Sequence, residues 1–392
     1  MKVTITGIGI ISAIGFNVHE NFQSLKSKTS GIKENTNFFK KEKLLLGQVQ
    51  KTNDELEQQL GVSKPISRTS LLGLVAAKEA WAENKPNNLI RTGIISSTSV
   101  GGMDKSEYYY NNKLKGEQAD ISLIVTHDNG NTTEKIASAL GISGYVNTLS
   151  TACSSAANAI MLGARLIQQN KLDRVLVGGT DSLTSFTIEG FKSLMIYDDE
   201  WVKPFDQNRK GLNLGEGAGF LVLENEKSIQ LTKNKALAEL VGWSNAADAY
   251  HQTASSPDGK GATLAIQQAL DQAKLKPEDV SYINAHGTGT PNNDLSESVA
   301  LKNIFKAKIP PFSSTKAYTG HTLAASGAIE AVFSVLALQH NVIFPNLNYA
   351  TPIIETQLEP EIEWTTNKQV NVVLSNSFGF GGNNSTLIFK KV

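Results

Sequence analysis

The stretch Leu149-Ser-Thr-Ala-Cys-Ser-Ser-Ala-Ala-Asn158 carries Cys153, the only cysteine among the 392 residues of the chain. The apolar run at 146–149 predicts a β-strand that leads into it. Residues 154–169 predict a helix that begins with small side chains. Cys153 is therefore expected at a strand-to-helix turn, where the positive end of the helix dipole favours a thiolate and lowers the thiol pKa.

Two roles fit a cysteine at such a turn. The small side chains around Cys153 leave room for a ligand to approach, which suits a nucleophile. A lone cysteine is also commonly a buried and inert side chain. The local pattern fits both roles equally, so the choice depends on what else reaches this turn.

Two of the six histidines lie at predicted strand or helix ends among glycine and hydroxyl residues. His286 lies in Asn284-Ala-His-Gly-Thr-Gly-Thr290, directly after a predicted strand, and His321 precedes an Ala- and Gly-rich helix start. Ligands of open α/β sheets bind outside the carboxyl ends of strands, so Cys153 and both histidines are expected to converge. Two neutral imidazoles there could donate hydrogen bonds to one carbonyl oxygen and stabilise an enolate.

Further motifs have both a functional and a purely structural interpretation. Thr288 and Thr290 could bind a polar ligand or cap their turn. The glycines of Phe378-Gly-Phe-Gly-Gly382 could let the backbone move, bring an N–H close to a ligand, or form a tight hairpin. Gly7-Ile-Gly9 is a weak match to a dinucleotide-binding turn, since Ser12 stands where that fingerprint requires glycine.

Composition and charge exclude several classes of protein. Lys plus Arg and Asp plus Glu both number 37, and this zero formal charge argues against a general nucleic-acid binder. One cysteine allows no intrachain disulfide and no cysteine-based zinc site, and a free thiol suits a reducing compartment. No apolar run approaches the roughly 18 residues of a membrane helix. Residues 1–15 are interpreted as a first β-strand rather than a signal peptide.

The chain alternates between strand-like and helix-like segments, which predicts an α/β layered fold. Examples of the predicted strands are 3–6, 94–96, 146–149, 174–177, 220–223, 281–284, 372–375 and 386–389. The predicted helices are 70–81, 133–140, 154–169, 264–274, 295–305 and 327–339. A weak repeat, in which Ala159-Ile160 recurs as Ala328-Ile329, suggests two similar halves joined near 226–236, although chance similarity explains it equally well.

Taken together, the motifs resemble those of β-ketoacyl-acyl carrier protein synthases of the elongating, type II (Cys-His-His) class, which are condensing enzymes of the thiolase superfamily. The resemblance covers nearly the whole chain, and the order and spacing of the motifs make it specific. The motifs are the run at 3–12, Thr151-Ala-Cys-Ser-Ser155, Phe205-Asp-Gln-Asn-Arg-Lys-Gly-Leu-Asn-Leu-Gly-Glu-Gly-Ala-Gly219, Asp248-Ala-Tyr-His251, Asn284-Ala-His-Gly-Thr-Gly-Thr-Pro291, Ser314-Thr-Lys316, Gly320-His321 and Asn376-Ser-Phe-Gly-Phe-Gly-Gly382.

The resemblance implies the thiolase fold, in which two related α/β halves form a five-layer αβαβα sandwich. Residues 1–230 would carry the nucleophilic cysteine, and residues 231–392 both histidines and a glycine-rich gating loop. Family members are usually homodimers, and the segment 122–133 matches one that reaches across to the partner and helps to wall the acyl pocket. The implied location is the cytoplasm, without a membrane or nucleic-acid partner.

The implied activity is that of a 3-oxoacyl-acyl carrier protein synthase, an acyltransferase that forms carbon–carbon bonds in fatty acid, polyketide or polyene chain elongation. Cys153 would take an acyl group from acyl carrier protein as a thioester, with its own N–H and that of Phe380 as the oxyanion hole. His286 and His321 would hold the thioester carbonyl of malonyl-carrier protein and promote loss of carbon dioxide. The resulting carbanion would attack the acyl thioester. The family binds no metal and no cofactor of its own, because substrates arrive on the phosphopantetheine of the carrier protein.

The remaining motif residues have supporting roles by the same resemblance. Lys316 matches an active-site lysine that orders the network together with Glu297. Phe380 matches a gating phenylalanine that closes the acyl pocket. Thr288 and Thr290 match positions that hold the phosphopantetheine arm.

The chain departs from the family pattern in the gating loop and at the substrate entrance. Asn383 stands where the family usually has threonine, and asparagine tolerates left-handed backbone angles better than a β-branched residue. We therefore expect the loop to open more readily and admit a broader range of acyl groups, unless Asn383 merely caps the turn.

The second departure is at the substrate entrance, where the segment around 183–201 is somewhat short for the family. Lys64 and Arg68, ahead of a helix near the entrance, could bind the acidic carrier protein or form a solvated helix start.

Two other classes of function fit parts of the sequence. A non-catalytic subunit of the chain-length-factor type lacks the cysteine that this chain has. A Cys-His hydrolase would leave the second histidine and Lys316 without a role. Housekeeping fatty acid synthesis and a specialised pathway, such as that of a polyene pigment, both stay open.

Overall fold

The computed structural model describes residues 1–36, 38–39, 42–62, 66–82, 84 and 87–392. Its strands are β1 (Thr4–Ser12), β2 (Lys33–Asn35), β3 (Leu44–Leu46), β4 (Thr92–Ser97), β5 (Tyr145–Leu149), β6 (Arg174–Asp181), β7 (Gly217–Glu224), β8 (Ala238–Ala247), β9 (Tyr282–Asn284), β10 (Phe312–Ser313), β11 (Val372–Gly379) and β12 (Asn383–Lys390). Its α-helices are α1 (Val18–Lys26), α2 (Asn53–Leu60), α3 (Arg68–Trp81), α4 (Met103–Leu114), α5 (Asn129–Leu140), α6 (Ser155–Gln168), α7 (Ser185–Ser193), α8 (Glu226–Thr232), α9 (Lys260–Ala273), α10 (Pro291–Phe305), α11 (Lys316–Thr319) and α12 (Ser326–His340). Short 3₁₀ helices span Ile121–His127, Pro277–Asp279, Leu323–Ala325 and Phe380–Gly382.

Within these described ranges, ten strands form one mixed sheet in the order β10-β9-β11-β12-β8-β1-β7-β6-β4-β5. The strands of the two halves take corresponding places, since β1-β7-β6-β4-β5 matches β8-β12-β11-β9-β10. In each half the first two pairings are antiparallel and the last two are parallel. The weak sequence repeat therefore reflects two related halves, and the predicted fold class is confirmed. The proposed boundary between residues 230 and 231 falls within α8.

Helices α6 and α12 form the central layer between the two halves. Helix α6 packs on β6 and β4, and α12 packs on β7 and β11. Helices α3 and α5 cover the first half, and α9, with α10 packed on it, covers the second. The expectation that no apolar run approaches the length of a membrane helix needs correction. Of the described residues, Leu323–His340 is the one helical stretch long and apolar enough to cross a membrane, and 89% of it is buried. Its hydropathy follows from its central position, because a helix covered on all sides is apolar all round.

Gly7 and Gly9 serve helix packing. Both lie in β1 where α3 crosses it, and a Cβ atom at either position would stand 2.1 Å from a backbone oxygen of that helix. Only glycine permits so close an approach of two backbones. The weak dinucleotide-binding match is thus explained by a strand that lies very near its helix.

All of the predicted strands and helices fall on elements of the structure. The predicted set omits several elements, among them β8, the strand that joins the second half to the first. Gly242, Ser244 and Asn245 interrupt its apolar pattern. Pairing with β12 and packing on α9 make this segment a strand, so its conformation depends on neighbours distant in sequence.

Arg68 does not form the predicted docking patch. Its guanidinium donates to Glu216 at 2.6–3.0 Å, to the carbonyl oxygen of Lys51 at 3.0 Å and to the side chain of Asn53 at 2.8 Å. A buried and fully paired guanidinium cannot meet a partner protein. The prediction is therefore wrong for Arg68, and Lys64 lies outside the described residues.

Arg68→Ala should destabilise the fold. It leaves Glu216 buried without its cation, which costs about 3–5 kcal/mol of unfolding free energy. Urea denaturation measures this loss. Lys2→Ala is the matched control, because Lys2 pairs with Glu239 at the surface and exposed pairs contribute little. Equal losses in the two variants would contradict the structural role of Arg68.

Candidate active site

Cys153 lies in a tight turn between strand β5 and helix α6. The strand ends at Leu149 and the helix begins at Ser155, so the predicted strand-to-helix position is confirmed. Ala152, directly before it, has a φ of +52°, a left-handed value that residues other than glycine rarely adopt. Such strained backbone is typical of functional turns.

Burial raises the pKa of the Cys153 thiol to about 11, opposite to the lowered value predicted from the helix dipole. The residue is 6% exposed, and removal from water penalises the thiolate more than the dipole supports it. The charge of Lys316 and the N–H groups of Phe380 and Cys153 act in the other direction without overcoming burial. The resting side chain is therefore a neutral thiol.

The backbone N–H groups of Phe380 and Cys153 both oppose the rise in the pKa of the Cys153 thiol, which places these two donors beside the sulfur. Gly379 makes this possible, because a Cβ atom there would stand 3.1 Å from the Thr151 carbonyl oxygen and 3.2 Å from the Cys153 nitrogen. Because Gly379 has no side chain, the end of β11 can lie close to the Cys153 turn. Two converging N–H donors are suited to stabilise a developing oxyanion.

His286 and His321 stand side by side although they come from different loops. His286 follows β9, and His321 follows α11. Both are buried, and their rings lie edge to face with centroids 5.6 Å apart. The structure therefore brings the two predicted histidines together.

Both imidazoles are neutral and carry their proton on Nε2. The Leu323 N–H donates to Nδ1 of His321 at 3.0 Å, and the Lys316 ammonium lies 3.2 Å from Nδ1 of His286. Each Nδ1 is an acceptor, which leaves each Nε2–H as a donor. Burial, followed by the charge of Lys316, lowers the pKa of His321 to about 3 and that of His286 well below its usual value.

Lys316 has a carboxylate partner that sequence motifs did not identify. Its ammonium donates to Glu330 and, at 2.6 Å, to the carbonyl oxygen of His286. Glu330 is the single acidic residue of the apolar helix α12. A single acidic residue in an otherwise apolar helix is the sequence signal that could have identified Glu330 as a partner of a buried cation, because acidic residues are seldom fully buried unless they are paired.

Glu297 supports His286 through the backbone. Its carboxylate accepts the N–H groups of His286 and the following residue at 2.9 and 2.8 Å, and the side-chain amide of Asn376 at 3.0 Å. Glu297 and Lys316, which were expected to order the network together, both contact His286: Glu297 at its backbone N–H, Lys316 at its ring and carbonyl oxygen. Burial raises the pKa of both Glu297 and Glu330 to about 7.

A cavity of about 330 Å³ collects most of the predicted site residues. Its wall includes Cys153, His286, His321, Phe380, Thr288 and Thr290. The two threonine hydroxyls lie 2.8 Å apart. Lys316 and Glu297 stand behind this wall and contact His286.

A second, largely apolar cavity of about 460 Å³ shares Cys153 and Phe380 with the first. Val100 and Phe186 contribute to its wall. The Phe380 ring stacks on Phe191, which also lines both cavities, with centroids 5.7 Å apart. Phe380 thus stands between a polar approach to the thiol and an apolar space beyond it.

Asn383 does not have the left-handed backbone predicted to loosen the Phe380 loop. Its φ of −83° and ψ of 93° belong to the first residue of β12, whereas Gly381 and Gly382 carry the left-handed angles. Its side-chain oxygen accepts hydrogen bonds from Ser154 and from two asparagines. The physical basis for easier opening is therefore wrong, and Asn383 anchors a strand rather than capping a turn.

Known proteins match both halves of the chain. The family description "Beta-ketoacyl synthase, N-terminal domain" matches residues 1–228, and "Beta-ketoacyl synthase, C-terminal domain" matches residues 237–350. The 3-oxoacyl-[acyl-carrier-protein] synthase 2 of Staphylococcus aureus (strain MRSA252) is 33% identical over 407 residues, covering 100% of this chain and 98% of that protein. The protein of the same name from Synechocystis sp. (strain ATCC 27184 / PCC 6803 / Kazusa) is 35% identical with the same coverage.

Solved structures agree over the full length. The ishigamide ketosynthase/chain length factor superposes with a TM-score of 0.91 at 28% identity, covering 100% of this chain and 99% of that one. A chain of the solved complex between the ketosynthase ApeO and its chain length factor ApeC, from Xenorhabdus doucetiae, gives 0.85 at 31% identity, covering 100% of this chain and 98% of that one. The chain accordingly belongs to the β-ketoacyl synthase family, acyltransferases that form carbon–carbon bonds in fatty acid or polyketide chain elongation.

Proposed function

We propose that this chain condenses an acyl group held on Cys153 with malonyl-acyl carrier protein. The observation that carries the proposal is the convergence of one thiol, two neutral imidazoles and two backbone N–H groups on one cavity. The curated relatives are named as synthases of acyl-carrier-protein substrates.

In the first step the Cys153 sulfur attacks the thioester carbonyl of acyl-carrier protein. The N–H groups of Cys153 and Phe380 stabilise the oxyanion. The carbon–sulfur bond to the carrier breaks, and the departing thiolate gains the proton that the Cys153 thiol loses. The acyl chain then occupies the apolar cavity beyond Phe380, which opens as the gate.

In the second step malonyl-carrier protein enters by the polar cavity, where Thr288 and Thr290 hold its phosphopantetheine arm. The Nε2–H groups of His286 and His321 donate to its thioester oxygen. Breaking the bond to the carboxylate releases carbon dioxide and leaves an enolate on that oxygen. Its carbon attacks the acyl carbonyl, and the Cys153 thiolate leaves and regains a proton from water.

Lys316 and Glu297 act in this proposal as positioning residues for His286. The ammonium fixes the ring tautomer, and the carboxylate fixes the backbone. The free thiol that the reaction requires is maintained in a reducing compartment, which supports placement in the cytoplasm. Mass spectrometry of Cys153 after incubation with a ladder of acyl-carrier proteins distinguishes fatty acyl from polyenoyl substrates.

We also propose that two copies of the chain pair through β5, one of the two edge strands of the ten-stranded sheet. An edge strand offers unpaired backbone groups to a second strand. Tyr145 and Val146 on β5 are each 38% exposed, and Ile121 and Val125 in the neighbouring 3₁₀ helix are 73% and 66% exposed. The segment 122–133, expected to reach the partner, includes part of this surface. A chain length factor, the partner named for ApeO, is the alternative occupant.

Variants of the thiol and the imidazoles should lose different partial reactions. Cys153→Ala should load no acyl group yet still decarboxylate malonyl-carrier protein. His286→Ala and His321→Ala should each lose decarboxylation by roughly 10²–10³-fold, the scale of one oxyanion donor, and should still load. Intact mass measures loading and carbon dioxide release measures decarboxylation. His340→Ala, which alters a ring stacked on Phe22, is the control. Near-normal condensation by Cys153→Ala would overturn the mechanism.

Alkylation of Cys153 in the resting enzyme should accelerate about tenfold per pH unit, without a plateau below about pH 10. A thiol with its pKa raised by burial to about 11 stays protonated at neutral pH, and only the thiolate reacts. Because Cys153 is the only cysteine, intact mass after iodoacetamide treatment reports on it alone. The urea-unfolded chain should level off above about pH 8.5. The same plateau in the folded enzyme would contradict a neutral resting thiol.

Val146→Lys should convert the dimer into monomers, because a charge on an edge strand blocks pairing. Size-exclusion chromatography with light scattering measures the mass. Leu231→Lys, at an exposed apolar position of α8, is the matched control and should stay dimeric. A wild-type monomer, or a dimer that tolerates lysine at 146, would rule out this interface.

A further inference from the structure

The side-chain oxygen of Asn383 is the centre of a polar cluster directly behind the Cys153 turn. It accepts hydrogen bonds from Ser154 at 2.7 Å, Asn158 at 3.1 Å and Asn245 at 2.6 Å. These donors belong to the turn itself, to helix α6 and to strand β8. The amide nitrogens of Asn158 and Asn245 are both donors, so the atom of Asn383 that they contact must be its oxygen. This fixes the orientation of the Asn383 side-chain amide.

The cluster also holds the other end of the turn. The Asn158 amide donates to the Thr151 hydroxyl at 2.8 Å, and the Asn158 oxygen accepts from Asn245 and Ser385, each at 2.9 Å. Ser154 and Ser385 are fully buried. Mutually satisfied buried groups hold one arrangement, because breaking a bond leaves a group unpaired. Thr151 and Ser154, which flank the nucleophile, are thereby fixed to α6, β8 and β12.

Asn383 also stands at the base of the loop that carries Phe380. It lies directly opposite Gly379 in the ladder of β11 and β12, so these residues close the two ends of the loop. Gly379 lies against the Cys153 turn, and the N–H of the next residue, Phe380, acts to lower the pKa of the thiol. A shift of Asn383 relative to Ser154 would therefore move one oxyanion-hole donor relative to the other.

We propose that Asn383 is a positioning residue for acyl transfer. Through its hydrogen bond with Ser154, it keeps the N–H groups of Phe380 and Cys153 directed at the same oxyanion position. This inference deepens the function proposed above and rests on it. The histidines are held separately, by Lys316, Glu297 and the Leu323 N–H. Loss of the Asn383 oxygen therefore impairs transfer onto the thiol and spares decarboxylation.

Asn383→Leu keeps the approximate size of the side chain and removes its oxygen. It should slow acyl loading of Cys153 by about 10²-fold, the scale of a misplacement of about 1 Å. Decarboxylation of malonyl-carrier protein should stay near the wild-type rate. Asn383→Asp keeps an acceptor oxygen and should recover most of the loading rate. Normal loading by Asn383→Leu, or equal loss of both reactions, would overturn the proposal.

Ser154→Ala removes the other partner of the same hydrogen bond. Combined with Asn383→Leu, it should slow loading by less than the product of the separate effects. Fully multiplicative effects would contradict a shared role. Asn21→Leu, which removes a buried amide bonded to Ser12 beside α1, is the control for a general loss of packing and should load normally.

Alkylation separates this inference from the proposed function, because it needs no carrier protein. Asn383→Leu should move the pH dependence of iodoacetamide alkylation of Cys153 upward, since displaced N–H groups no longer stabilise the thiolate. If the wild-type enzyme loads no acyl group, the proposed function fails while this shift still supports the positioning role. An unchanged alkylation profile overturns the positioning role even if loading proceeds.

Discussion

The buried ammonium of Lys316 governs the electrostatics of the site. It contacts the ring and carbonyl of His286 and the carboxylate of Glu330, and its charge acts on the pKa values of Cys153, His286 and His321. For the imidazoles, burial and this charge both favour the neutral ring. For the thiol they oppose each other, because one disfavours a thiolate and the other attracts it. One cation therefore helps to keep both imidazoles neutral and opposes the rise in the thiol pKa.

The duplicated fold explains why the thiol and the ammonium can meet. In the first half, β5 leads into the Cys153 turn and then into central helix α6. In the second half, the corresponding strand β10 leads into Lys316 and His321 and then into central helix α12. Equivalent turns of two related halves thus carry different chemistry. Because both central helices occupy the layer between the halves, these turns face a shared cavity.

The motifs were sufficient to predict the convergence of Cys153, His286 and His321, because each stands at the end of a clear element. They were not sufficient for residues whose role depends on distant neighbours. Glu330 lies within a helix and becomes part of the site only because α12 passes beneath Lys316. The sequence around Arg68 is typical of a surface cation. The structure shows instead that Arg68 is buried and paired with Glu216, which lies 148 residues away in the sequence.

Local periodicity, turn residues and motif order are encoded within short stretches, so the sequence by itself determined the alternating elements, the family and the candidate nucleophile. Desolvation is different in kind, because it depends on atoms contributed by the whole chain. The helix dipole at Cys153 is a local effect and predicts a lowered pKa, whereas the surrounding protein removes the thiol from water and raises it. Likewise, the backbone angles of Asn383 follow from its pairing with β8 and β11. Only the tertiary structure could decide these points, because burial and strand pairing are properties of contacts between residues far apart in sequence.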